Sequence, residues 1–178
     1  MQWEELRASG AAVVISRSEI DQVVDVRRLL LGASGSGALP PLHGVWHAAG
    51  VLSDALVTKQ SAATLQRVHA PKAHAAWLLQ SGSCALPLRA CTLFSSTATL
   101  VGSAGQANYS AANGCLDALA ATRRRGGHVG VSVQWGPWAE VGIAAGAGIH
   151  DRMKAGGFGL ISIEVGLTLT LTLALTLA

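Results

Sequence analysis

Residues 90–135 contain a complete strand–helix–strand pattern, and this pattern decides the fold class. The apolar run ACTLFS (90–95) is followed by the helix-period segment QANYSAANGCLDALAATRR (106–124) and then by the run HVGVSVQW (128–135). Short apolar runs separated by a helix of this length predict a βαβ unit, in which two parallel strands are buried beneath a crossover helix.

The same alternation extends toward the N-terminus. A strand is predicted at residues 11–15 and another at 43–49, while helical spacing of apolar residues predicts helices at 20–30 and 59–79. Because crossovers between parallel strands are right-handed, we predict an α/β fold with a Rossmann-like, doubly wound parallel sheet and helices on both faces.

Two segments have a less regular pattern. The stretch GASGSGALPP (32–41) is a loop by composition, and its two prolines stand where a phosphate-binding turn would have to open a helix. The tail LTLTLTLALTLA (167–178) alternates with a period of two, which favours a strand, but leucine and alanine are equally good helix formers. Both possibilities stay open for the tail.

Composition excludes several classes of protein. The chain has 178 residues, of which 50% are hydrophobic and 13% charged, with a formal net charge of +3. This length predicts one domain, and the hydrophobic content excludes a disordered chain. The densest basic run, Arg123-Arg124-Arg125, is too short for a nucleic-acid footprint, so no nucleic-acid partner is expected. We expect this run to be the solvent-exposed end of a helix.

Cysteine usage and the termini indicate the compartment. Cys84, Cys91 and Cys115 form no CxxC pair and have no histidine at zinc-finger spacing, so we expect reduced thiols and no metal site. The first ten residues, MQWEELRASG, contain no apolar run and predict no secretory signal. The tail is about a dozen residues, short of the roughly 20 that span a bilayer. We therefore expect a cytoplasmic protein without membrane attachment.

Three predicted strand ends are candidates for a ligand cleft, because ligands bind beyond the carboxyl ends of parallel strands. They are HAAG (47–50), FSS (94–96) and WGPW (135–138). His47 itself is expected to be a strand residue with satisfied ring nitrogens. Tyr109, the single tyrosine, shares a helix face with Asn113 four residues later, next to the FSS strand end.

Five motifs carry a resemblance to a known family. HAAGVL (47–52), APK (70–72), LFSS (93–96), GQANYSAAN (105–113) and WGPWAEVG (135–142) occur in this order. Together they resemble the ketoreductase domain of modular polyketide synthases and related fatty acid synthases, a branch of the short-chain dehydrogenase/reductase superfamily. The resemblance runs from about Leu6 to about Leu169.

The resemblance implies a catalytic tetrad of Ser96, Tyr109, Lys72 and Asn113, with lysine and asparagine exchanged relative to most short-chain dehydrogenases. It implies hydride transfer from NADPH to a β-keto carbon, with Tyr109 delivering the proton. Lys72 is expected to lower the pKa of Tyr109, and Ser96 to hydrogen-bond the carbonyl oxygen. Asn113 is expected to hold a water or the backbone that relays the replacement proton.

The family also implies a cofactor site, a substrate site and partners. The substrate is expected to be a β-ketoacyl thioester on the phosphopantetheine arm of an acyl carrier protein, next to other synthase domains. The segment LSD (52–54) favours a D-configured hydroxyl, and the tryptophan of the opposite class would fall at Val101. The implied cofactor-binding residues are Ala48, Ala49, Gly50, Lys72, Tyr109, Pro137 and Trp138, and the implied substrate residues are Leu52, Asp54 and Gln106.

One departure from the family concerns the nucleotide-binding half. No GxGxxG motif precedes a helix, so we expect a single, N-terminally truncated domain that lacks the first strand–turn–helix unit. Residues 1–42 would be the remainder of the nucleotide-binding half, 43–150 the catalytic part and 151–178 a low-complexity tail. A non-catalytic, structural reductase-like fragment is the alternative. A stand-alone dehydrogenase of small alcohols fits poorly, because those enzymes carry lysine at the position of Asn113.

Overall fold

A computed structural model describes residues 12–32, 41–140 and 149–176, together with Ala8 and Gly10. The strands in this part of the chain are β1 (Gly44–His47), β2 (Ala90–Ser96) and β3 (Val131–Trp135). A 3-10 turn (Val57–Lys59) precedes the second helix, and a π-helical segment (Ala70–His74) joins the second helix to the third. The helices are α1 (Val23–Gly32), α2 (Ala62–His69), α3 (Ala75–Ser83), α4 (Ala98–Val101), α5 (Ala107–Arg125), α6 (Ile149–Ala155) and α7 (Ile163–Thr176).

The strands form one parallel sheet in the order β1–β2–β3. His47 pairs with Leu93 at the end of β1, and Ser96 pairs with Trp135 at the end of β2 and β3. Since all three strands run in the same direction, their carboxyl ends meet at one edge of the sheet, where open α/β sheets place ligands. The predicted Rossmann-like α/β fold is confirmed.

One hydrophobic core holds the crossover helices against the sheet. Cys91 and Leu93 of β2 pack with Ala76 of α3 and with Leu116 and Ala120 of α5, and all five side chains are buried. These two helices therefore share one face of the sheet. The helices predicted at 59–79 and 106–124 are confirmed, although the first is interrupted by the π-helical segment.

The strand predicted at residues 11–15 is wrong for the part that the structure describes. Residues 12–19 have no regular secondary structure, and the side chains of Val14 and Ile15 are 67% and 70% exposed. A strand needs a neighbour for its backbone hydrogen bonds, and the sheet that the described residues form contains no partner for this segment. An apolar run alone did not distinguish a buried strand from an exposed segment.

The arginine run also differs from the expectation of a fully solvated helix end. Arg124 and Arg125 are exposed, but Arg123 is only 3% exposed. The Arg123 guanidinium donates hydrogen bonds to the carbonyl of Val129 and to the side chain of Gln80. These bonds allow the charge to be buried, and they tie the end of α5 to α3 and to the segment before β3.

The C-terminal tail, for which a strand and a helix were both possible, forms a helix. Residues Ile163–Thr176 form α7, and Gly166 of this helix lies against the ring of Trp138, which leaves no room for a Cβ at this position. Backbone hydrogen bonds from Ile161 to Pro137 and from Ala139 to Ile161, each 2.8 Å, join the segment before α7 to the end of β3. Across the described ranges, no helix is long and apolar enough to cross a membrane.

Candidate active site

A cavity of about 550 Å³ opens at the carboxyl edge of the sheet. It collects side chains from the ends of all three strands, from the π-helical segment and from the start of α5. Met153 of α6 and Phe158 close one side of it. The polar and aromatic lining residues include Lys72, Ser95, Ser96, Gln106, Tyr109, Trp135 and Trp138.

Lys72 reaches this cavity because of the π-helical segment. Pro71 lacks a backbone N–H, and the helix responds with a wider turn in which the N–H of Ala75 bonds the carbonyl of Ala70. The wider turn also lets the carbonyl of Lys72 accept a hydrogen bond from the ring of His47 at 2.8 Å. His47 is thus a satisfied strand residue, as expected, and it fixes the backbone of Lys72 to the end of β1.

The Lys72 ammonium is buried with few partners. The side chain is 3% exposed, and its Nζ donates a hydrogen bond to the carbonyl of Phe94 at 2.9 Å. Nζ also lies 5.4 Å from the centroid of the Tyr109 ring. Burial lowers the pKa of Lys72 to about 8, because removal from water disfavours the charged form. The ammonium has three donors, so donors remain for a ligand in the cavity.

Tyr109 is held in the first turn of α5. The preceding residue, Asn108, is 1% exposed; its side-chain oxygen accepts a hydrogen bond from the Tyr109 backbone N–H, and its amide donates to the carbonyl of Ser53, each at 2.8 Å. Asn108 therefore satisfies a free N–H at the helix start and connects α5 to the loop after β1. The phenol ring stands over the Lys72 ammonium as a result.

The pKa of Tyr109 differs from the expectation. Lys72 was expected to lower it, but burial raises the pKa of Tyr109 above its ordinary value. Hydrogen bonds to the side chains of Asn113 and Ser96 oppose this shift, and the negative charge of Asp54 adds to it. The phenol is consequently protonated at neutral pH and able to act as a proton donor.

Ser96 is placed by the turn between β2 and α4. Its hydroxyl oxygen accepts a hydrogen bond from the backbone N–H of Ala98 at 3.2 Å, and Ser96 lines the same cavity as Tyr109. Asn113 is fully buried; its amide donates to the carbonyl of Tyr109 at 2.8 Å, while its Oδ1 has no hydrogen-bond partner. The structure therefore brings together all four residues of the predicted tetrad.

Some of the predicted cofactor and substrate residues line the cavity, and the others lie outside its wall. Lys72, Tyr109, Leu52, Gln106, Ala48, Pro137 and Trp138 line the cavity, whereas Ala49 and Gly50 are not among its lining residues. Asp54 is held by Gln106, whose amide donates to the carboxylate at 3.1 Å. Most of the predicted set thus surrounds one space.

Three residues of the site, Asn108, Met153 and Phe158, were not predicted from the sequence. Asn108 stands inside the GQANYSAAN motif, where its position directly before the tyrosine could have predicted a helix-start residue. Met153 and Phe158 lie in the segment that sequence reasoning treated as a tail, and they line the cavity through tertiary packing. The described residues contain no group of three or more histidine, cysteine, aspartate or glutamate side chains placed to hold a metal ion.

A second cavity, of about 520 Å³, is lined by residues before α1, by Val51 and by residues of α2 and the π-helical segment. Its wall includes Glu19, Val51 from the loop after β1, Arg67 of α2 and Pro71 of the π-helical segment. The two cavities are therefore adjacent, since Lys72 lines the first and Pro71 lines the second. An elongated ligand with two ends could occupy both.

Comparison with known proteins assigns a family to this fold and site. The family model described as KR domain matches residues 1–140. The chain is 42% identical over 166 residues to polyketide synthase GfsA of Streptomyces halstedii, covering 93% of this chain and 2% of that protein. It is 41% identical over 157 residues to the phenolphthiocerol synthesis polyketide synthase Pks15/1 of Mycobacterium marinum, covering 88% of this chain and 7% of that protein.

Solved structures agree with the sequence relatives. The structure described as A-type ketoreductases from modular polyketide synthase superposes with a TM-score of 0.85 at 37% identity, covering 93% of this chain and 34% of that one. The chain thus spans a small part of the synthases and about a third of the solved ketoreductase chain that it matches.

Proposed function

The chain belongs to the KR domain family, the ketoreductase domains of modular polyketide synthases, and we propose that it reduces β-ketoacyl thioesters to β-hydroxyacyl thioesters with NADPH. The family has the short-chain dehydrogenase/reductase fold. The observation that carries the proposal is the convergence of Tyr109, Ser96 and Lys72, from three different elements, on one cavity. We propose a substrate attached to the phosphopantetheine arm of an acyl carrier protein within a polyketide or fatty acid synthase.

The residues that line the cavity support NADPH as the cofactor. Lys72 has donors to spare toward a ribose hydroxyl, and Trp138 and Pro137 form an apolar wall suited to a nicotinamide ring. The neighbouring cavity beside Val51 and Arg67 offers room for the other end of the dinucleotide. When bound, NADPH supplies the hydride that the substrate carbon accepts.

The protein contributes the proton and the orientation of the carbonyl. Ser96 and Tyr109 would both donate hydrogen bonds to the substrate oxygen, which stabilises the negative charge that develops there. Because burial keeps the pKa of Tyr109 raised, its phenol carries the proton that this oxygen takes up. Lys72, still mostly charged below its pKa of about 8, would then stabilise the phenolate left behind.

Reprotonation of Tyr109 needs a path, and Asn113 lies on it. Its Oδ1 is buried and without a hydrogen-bond partner next to the tyrosine. An unpaired acceptor in this place can hold a water that returns the proton to the phenolate. Thus the residues supply a donor, an electrostatic stabiliser and a relay.

The experiment is an assay of NADPH consumption by the full chain with a β-ketoacyl thioester of N-acetylcysteamine as the substrate. Tyr109→Phe removes the proton donor and is expected to lower kcat by about 10²-fold to 10⁴-fold. Cys115→Ser, an exposed change on the same helix, serves as the control and is expected to retain activity. Equal rates for wild type and Tyr109→Phe, or no consumption by the folded wild type, would instead support a non-catalytic fragment.

A further inference from the structure

A chain of hydrogen bonds runs from α5 through β3 to the catalytic serine. It begins at Asp117, eight residues after Tyr109 on the same helix. The carboxylate of Asp117 accepts hydrogen bonds from the hydroxyl of Ser132 and from Nε2 of Gln134, the latter at 2.9 Å. Neither this carboxylate nor these β3 side chains has a role in the reaction described above.

The chain continues from Gln134 to the turn that carries Ser96. The same Nε2 of Gln134 donates to Oγ1 of Thr99 at 3.0 Å, and this hydroxyl donates in turn to the carbonyl of Ser96 at 2.8 Å. Each hydrogen bond thus has a defined donor and acceptor. The amide nitrogen of Gln134 donates to Asp117 on one side and to Thr99 on the other, and Thr99 donates to Ser96.

The negative charge of Asp117 fixes this direction. If the Gln134 amide rotated by half a turn, its oxygen would face the Asp117 carboxylate, and two acceptors would repel each other. With the amide nitrogen held in place, the Thr99 oxygen accepts from Gln134, so its single proton is directed to the carbonyl of Ser96. The Asp117 carboxylate therefore determines how the backbone carbonyl of Ser96 is hydrogen-bonded. It acts on Ser96 through Gln134 and Thr99 and does not contact it directly.

We propose that Asp117 is a positioning residue, which acts through Gln134 and Thr99 to hold the backbone of Ser96 so that the serine hydroxyl stays beside Tyr109. The proposal rests on the proposed function for the role of that hydroxyl. It predicts that removing a link in the chain shifts the Ser96 hydroxyl relative to the Tyr109 phenol on the shared cavity wall without removing either residue.

Tyr109 is the single tyrosine of the chain, so its ionisation can be observed without interference from other phenols. The full chain is prepared with difluorotyrosine in place of tyrosine, because that phenol ionises near neutral pH, and phenolate absorbance is followed against pH. The charged groups that face the phenol are Lys72 and Asp54, and both are unchanged in the variants. The readout needs neither substrate nor NADPH, so it separates failure of this proposal from failure of the proposed function.

Thr99→Val and Asp117→Asn are the test variants. Both are expected to raise the pKa of the phenol by about half a pH unit to one unit, part of the effect of losing a hydrogen bond to a charged group. Thr99→Ser, which keeps the hydroxyl, is expected to restore the wild-type titration. Thr122→Val is the matched control, because that exposed hydroxyl of α5 donates to the carbonyl of Ala118 and, within the described residues, is not linked to Ser96.

Ser96→Ala calibrates the measurement by removing the hydroxyl itself. The proposal is overturned if Ser96→Ala raises the phenol pKa while Thr99→Val and Asp117→Asn titrate like the wild type. It is also overturned if Thr122→Val shifts the pKa as much as Thr99→Val does. Circular dichroism of each variant establishes that the fold is intact; if Asp117→Asn does not fold, Thr99→Val and its serine counterpart decide the matter.

Discussion

Two buried cations of this chain, Lys72 and Arg123, differ in how the fold satisfies them. Each is 3% exposed. Arg123 donates to the carbonyl of Val129 and to the side chain of Gln80, while in the described residues the Lys72 ammonium donates to the carbonyl of Phe94. The guanidinium is therefore used by the protein itself, whereas the ammonium keeps donors for something else.

We propose that the difference separates a structural charge, Arg123, from a functional one, Lys72. Arg123 lies at the far end of α5 and joins neighbouring elements. Lys72 lies at the carboxyl edge of the sheet, beside the cavity, and its pKa is lowered to about 8 because burial is poorly compensated. A protein that keeps an under-satisfied lysine at a cavity loses stability, and the family's reaction gives a reason for that loss.

The largest effect is expected from Lys72→Met, which removes the charge and keeps most of the volume. Thioester reduction is expected to fall about 10²-fold to 10³-fold, since the phenolate loses its nearby cation. The free energy of unfolding is expected to rise by about 1–2 kcal/mol. Removing the buried charge stabilises the folded state by more than the loss of the hydrogen bond to the Phe94 carbonyl destabilises it. NADPH consumption and thermal melting measure the two effects; a variant that is both active and less stable would contradict this assignment.

Arg123→Met is expected to give the opposite combination. Loss of two charge-assisted hydrogen bonds is expected to lower the free energy of unfolding by about 2–4 kcal/mol. The kcat of the folded protein is expected to stay within about twofold of the wild type, because the arginine has no contact with the cavity. Urea unfolding and the same reduction assay test this. A large loss of kcat with unchanged stability would show that the two cations are not different in kind.

A pH series tests the lowered pKa of Lys72. The pKa of Lys72 is about 8 in the folded protein and near 10.4 in the unfolded chain. Between pH 8 and pH 10 the unfolded chain therefore binds the lysine proton more tightly than the folded protein does. The free energy of unfolding is therefore expected to rise from pH 8 toward pH 10, by up to about 3 kcal/mol relative to Lys72→Met. Taking the difference between the two proteins cancels the contribution of Cys91, whose pKa is raised by burial. Identical pH curves would contradict the lowered pKa.

Much of the sheet and its edge could be predicted from the sequence, because the relevant patterns are local. Apolar runs and helical spacing located β2, α5 and β3, and the five motifs placed Tyr109, Ser96 and Lys72 around one cavity. The strand at 11–15 could not be excluded in the same way, since a strand depends on a partner elsewhere in the chain. The tail was ambiguous because its composition suits a helix and its period suits a strand.

The sequence predicted which residues line the site better than it predicted their pKa values and burial. Proximity to Lys72 suggested a lowered pKa for Tyr109, but the sign depends on how deeply the phenol is buried, which no local pattern reports. Likewise, Arg123 was indistinguishable by sequence from Arg124 and Arg125, and only the positions of Gln80 and Val129 explain why it alone is buried.

The most direct test of the account is a titration of the full chain with NADPH, followed by nucleotide fluorescence, for the wild type and Lys72→Met. Saturable binding by the wild type is expected on the order of micromolar, weakened about tenfold in Lys72→Met by the loss of one charge-assisted hydrogen bond. Equal affinity of the two proteins, or no binding by the wild type at about millimolar NADPH, would contradict the claim that the spare donors of Lys72 serve the cofactor.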